Sequence, residues 1–139
     1  MKRFFFWGNI INWTIMLILI GSVASIFNQQ TIETYEKTLF PFFNQINETL
    51  TLKESFESVK AMAVTFAIAL ILTLIFLMIG NYLLSRDRYL LVAMSAFLLC
   101  GVITFIGTQG ILSINALFFW MSMGFCLYRR NIQLEDVEK

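Results

Sequence analysis

The 139-residue chain contains no histidine, one proline and two cysteines, and only 14% of its residues are charged. Without histidine it lacks the commonest general base at neutral pH and the commonest metal ligand. Two cysteines, Cys100 and Cys126, set inside apolar stretches give no disulfide framework of the kind small secreted domains use. The shortage of charge says most. Soluble domains carry about 25% charged residues, so a chain with 58% apolar residues and 14% charged ones falls in the membrane class. A net charge of +1 argues neither for nor against nucleic acid, and none is expected as a partner. The richness in Phe, Ile, Leu and Asn is a compositional association with AT-rich bacterial genomes.

What is present is long uncharged runs. Residues 61–84 hold no charged side chain. At about 1.5 Å per residue, a helix of that length exceeds the ~30 Å hydrocarbon core of a bilayer. Glu57 and Lys60 close one end, and Arg86, Asp87 and Arg88 the other. Three further stretches resemble it, so the expected spans run over about 4–27, 60–84, 89–106 and 111–128. A cleaved signal peptide competes for the first, because Val23, Ala24 and Ser25 are small. A signal core has about 7–15 apolar residues, however, and this run is longer, with Trp7, Asn9, Asn12 and Trp13 in its first half. A retained span is the better reading. Ser85-Arg86-Asp87-Arg88 is a tight charged turn, and Gly107-Thr108-Gln109-Gly110 an uncharged one whose glycines supply turn conformations. Lys2, Arg3, Arg86, Arg88, Arg129 and Arg130 all fall on one side if four spans alternate. The positive-inside rule then places both termini in the cytoplasm of a multi-pass protein of the cell membrane. Residues 129–139 form a polar tail.

Residues 28–59 are an outer loop of different character, and the stretch up to Lys60 holds five Glu against three Lys. Ile32, Tyr35, Leu39, Phe42 or Phe43, Ile46 and Leu50 recur three or four apart, which is one face of an amphipathic helix. Pro41 should break it, by removing an amide donor and crowding the preceding turn. The expectation is a helix over about 31–40, then a shorter turn through 42–48. Thr51 and Glu54 have capping-box spacing, so the second span should begin near Leu52 and project beyond the lipid.

Catalysis is not expected, and no cofactor is implied. Ion-driven transport and intramembrane proteolysis both place ionisable or nucleophile–base groups inside spans, and these spans hold no Asp, Glu or His. The small multidrug-resistance transporters have four short spans but rely on a Glu in the first, where this chain has Asn9, Asn12 and Thr14. That family is rejected.

Asn9, Asn12 and Thr14 can grip a partner helix or a lipid headgroup, since interhelical hydrogen bonds in lipid contribute about 0.6–2 kcal/mol. The plainer alternative is an interfacial belt from Trp7 to Trp13, and Asn81 with Tyr82 reads the same way. Small residues such as Ala63 and Ala67, Gly21 and Ser25, or Ala96 and Gly101 suit internal packing more than a dimer. Cys126 beside Tyr128-Arg129-Arg130 is a possible palmitoylation site in a eukaryotic host. Asn47-Glu48-Thr49 fits a glycosylation sequon there. The best functional candidate is the greasy face of the loop: Tyr35, Leu39, Phe40, Phe42, Phe43 and Phe56. It is too apolar to stay in water, and it can cap its own bundle, lie on headgroups or receive a partner.

The order of parts resembles a group of small uncharacterised four-helix membrane proteins of Gram-positive bacteria. The resemblance is one of topology and rests on Met1-Lys2-Arg3, the Ser85–Arg88 turn, the Gly107–Gly110 turn and the Tyr128-Arg129-Arg130 ending. It implies no activity. The expectation is an all-α, integral membrane four-helix bundle, forming one membrane domain over 1–139, with an amphipathic helical extracellular cap between its first two spans. Its partners would be the lipid bilayer and another membrane protein or itself. A non-enzymatic accessory, immunity or regulatory subunit is the first reading, and an oligomeric pore or lipid-handling channel the second.

Overall fold

Thr51 opens the longest helix. Its hydroxyl accepts from the Glu54 amide at 3.3 Å, and a Glu54 carboxylate oxygen accepts from the Thr51 amide at 3.0 Å. This reciprocal capping box satisfies two amides that a helix start leaves free. The Thr51 hydroxyl and amide bonds hold the Glu54 carboxyl below its ordinary range. At the far end, Asp87 and Tyr89 both adopt φ of 50°, which turns the chain back within a few residues.

The computed structural model describes residues 1–46 and 49–137. Among these the chain is all-helical, with no strand: α1 (Lys2–Gln29), α2 (Ile32–Thr38), α3 (Phe40–Ile46), α4 (Leu52–Arg86), α5 (Leu90–Gly107) and α6 (Ser113–Val137). The amphipathic stretch divides at Leu39, ahead of the proline. Pro41 is the second residue of α3, where a missing amide is no loss because the first turn has no acceptor for it. Asn47 and Glu48, which belong to the sequon and to the end of the expected 42–48 turn, lie outside the described residues.

α1, α4 and α5 are each long and apolar enough to cross a membrane. α6 is not among them, for its uncharged run is short, from Ser113 to Tyr128, and carries Asn115. α1 packs against α4 and α6, α4 against α5, and α5 against α6, while α2 and α3 lie on the start of α4. Met16, Phe66, Phe97 and Phe119 fill the shared interior, none of them more than 1% exposed. Two close approaches need glycine: a Cβ at Gly101 would stand 2.1 Å from the Trp120 indole nitrogen, and one at Gly107 would stand 2.5 Å from the Ala69 Cβ.

Polarity is inverted relative to a water-soluble fold. Asn9, Thr73, Asn81, Thr104 and Ser122 are buried, whereas Ile18, Ile71, Ile75, Leu98 and Leu117 point outward. Apolar side chains facing out on helices of spanning length are what a lipid solvent selects. The fold is that of a membrane protein.

Candidate functional site

The α2–α3 segment is fastened down by one residue. Tyr35 is fully buried, and its hydroxyl meets that of Ser55, in the first turn of α4, at 2.5 Å. Around its ring stand Phe56, Phe43 and Phe40, with centroids at 5.5, 6.3 and 6.4 Å. Leu39, Phe40, Phe43 and Phe56 are half-buried. Lys60 lies 5.4 Å from the Phe56 ring centroid and donates to the Asn28 carbonyl, so the end of α1 joins the same assembly. Of the six apolar residues singled out in the sequence, Phe42 alone stays open, at 67% exposure. Ile46 joins it at 82%. Its place on the same helical period was the available signal.

The polar residues of α1 separate. Asn9 donates to the Asn81 side-chain oxygen at 3.1 Å and accepts from the Ser122 hydroxyl at 2.8 Å, linking α1 to α4 and α6. Asn81 also donates to the Phe6 carbonyl at 3.3 Å. Asn12 donates to the Asn115 carbonyl at 3.1 Å, and Asn115 returns a bond to the Asn12 side-chain oxygen at 2.8 Å. Asn115 and Ser122 lie seven apart on α6, two turns along one face, so the two amides of α1 meet the same neighbour. Thr14 faces outward and donates to the Ile10 carbonyl at 2.9 Å within its own helix. The sequence reading missed Asn115 and Ser122 as partners, since contacts between separate helices leave no local spacing.

The basic end is built on one carboxylate. Asp87 Oδ2 receives Lys2 at 2.6 Å and Arg129 at 3.2 Å, joining the start of α1, the α4–α5 turn and α6. Burial draws the Asp87 carboxyl upward, but the Lys2 bond and the nearby Arg129 charge outweigh it and hold it below the ordinary carboxylate value.

Two grooves run between α1 and α4. One, of about 380 Å³, is lined by Gly21, Ala24, Ala63 and Ala67, and the other, of about 460 Å³, by Phe6, Ile10, Leu77, Met78 and Tyr82. Between them the Trp13 indole donates to the Leu70 carbonyl at 3.2 Å. Among the described residues no three of His, Cys, Asp and Glu come close enough to hold a metal, and Cys100 and Cys126 are free and buried. No family model, curated protein or solved structure matches the chain. What the structure brings together is an aromatic cluster around Tyr35, interhelical amides at Asn9 and Asn12, and a basic end around Asp87.

Proposed function

We propose that this is a four-span bundle in the cell membrane, with both termini cytoplasmic and the α2–α3 segment as its outer cap. It acts without catalysis, as an accessory, immunity or regulatory protein that binds another membrane component. Support for the topology comes from the meeting of Lys2, Asp87 and Arg129 at one end, which fits alternating spans and the positive-inside rule. A fourth crossing by α6 is supported by its packing against both α1 and α5.

The observation that carries the functional reading is the contrast within the cap. Tyr35 is sealed beneath it, while Phe42 and Ile46 stand open on α3. A surface held from below and apolar above is pre-organised, so a partner pays little ordering entropy to bind it. The test is purification from native membranes in mild detergent through a C-terminal tag, comparing wild type with Phe42→Ser/Ile46→Ser. A stoichiometric membrane partner present with the wild type and lost with the double variant is expected. An unchanged partner set from an inserted, intact variant defeats the reading. The pore alternative draws no support from the first helix, because Asn9 and Asn12 spend their hydrogen bonds on neighbouring helices.

A further inference from the structure

We infer that the lower α1–α4 groove is a binding site for one anionic phospholipid, with its acyl chain in the trough and its phosphodiester at Arg3 and Arg86. The trough lined by Ile10, Leu77 and Met78 adjoins a second cavity of about 360 Å³, lined by Lys2, Arg3, Phe6 and Ser85. Phe6 and Ser85 belong to both, so an apolar channel ends at a cationic mouth. Tyr82 lines the trough and holds the Arg86 guanidinium 5.2 Å from its ring centroid, adding a second cation at that end.

Charge at the mouth is unbalanced. Asp87, the acid of that turn, is taken by Lys2 and Arg129, and Arg3 and Arg86 have no ion pair among the described residues. Depth fits as well. From Leu74 to Ser85 the α4 wall covers twelve residues, whose ends stand roughly 16 Å apart at a helical rise. That is about half of the ~30 Å hydrocarbon thickness, the depth of one leaflet. A ligand with an apolar tail one leaflet long and a single anionic head satisfies both ends, and basic pockets between helices on the cytoplasmic side recognise such headgroups. The inference rests on the membrane reading above but not on partner binding by the cap, whose residues lie at the other end of α4.

The test is native mass spectrometry of the full chain in mild detergent, with phosphatidylglycerol or phosphatidylcholine of equal chain length added. One phosphatidylglycerol per chain is expected to persist at activation energies that strip phosphatidylcholine. Arg3→Gln/Arg86→Gln should weaken retention on the order of tenfold. Met78→Trp, on an exposed position, should weaken it by filling the trough while leaving the charge intact. Arg130→Gln should leave retention unchanged. Equal retention of the two lipids, or a loss for Arg130→Gln as large as that for Arg3→Gln/Arg86→Gln, would overturn the site in favour of diffuse charge attraction. Insensitivity to Met78→Trp overturns the trough, and competition by inorganic phosphate identifies the headgroup alone as the ligand.

Discussion

Asn9 and Ser122, 113 positions apart, meet at 2.8 Å in the buried interior, and Asn9 also donates to the Asn81 side-chain oxygen at 3.1 Å. One amide therefore ties three helices. Asn9→Leu removes both bonds and leaves the Asn81 oxygen without its donor, although Ser122 keeps the Phe118 carbonyl. The expected loss is about 1–2 kcal/mol, measured by reversible unfolding in mixed micelles. Thr14→Val, five residues along the same helix but facing outward, should change stability little.

Tyr35 reaches Ser55 through a single hydroxyl contact, while its ring is held by Phe40, Phe43 and Phe56. Tyr35→Phe keeps the ring and drops the bond, at a cost of about 1 kcal/mol. The loss should be local. Limited proteolysis within residues 30–46 is expected to accelerate, with α4 still protected. Unchanged cleavage rates would mean that the aromatic contacts alone secure the cap.

The Trp120 indole lies against Gly101, where an added methyl would stand 2.1 Å from its nitrogen. Phe105 flanks the same ring at 6.4 Å between centroids. The indole has to move, and overpacking of this kind costs about 1–3 kcal/mol. Gly124 has nothing within 4 Å of its Cβ position. Gly101→Ala should therefore lower the unfolding midpoint in detergent, and Gly124→Ala should leave it the same or raise it through better helix propensity.

Much of this arrangement could be read from the chain. Uncharged runs and turn residues located α1, α5 and the start of α6 to within a few positions, because spanning length and charge exclusion act locally. But α6 does not stop at Tyr128: it runs on as helix through the expected polar tail to Val137. Thr51 and Glu54 fixed the start of α4, since a capping box is complete within four residues. The fate of Tyr35 was not legible. Periodicity put it on the greasy face, but its burial depends on Ser55, which is 20 positions away. Asn9 and Asn12 looked like a pair because they are three apart, yet each finds its own partners across the fold. Thr14 seemed to belong with them, and the helix turns it outward. Distant contacts between helices leave no trace in spacing.

Asp87 gives the basic end an acid-sensitive latch. Its folded carboxyl titrates below the ordinary 3.8, so the charged form is favoured in the fold. The sign follows: the stabilisation is fully present above the unfolded value and fades as pH falls through it toward the lower, folded one. Lys2 and Arg129 are about one-third exposed, so solvent screens the pair and its contribution is on the order of 1 kcal/mol or less. Glu54 titrates with the same sign, which makes the difference between wild type and Asp87→Asn the diagnostic quantity. At neutral pH the variant should be slightly less stable, with Lys2 and the start of α1 freed to exchange amides faster. As pH drops below about 4 the two stability curves should converge. A constant gap across that range would show that Asp87 acts through its αL backbone turn and its packing, independently of its charge.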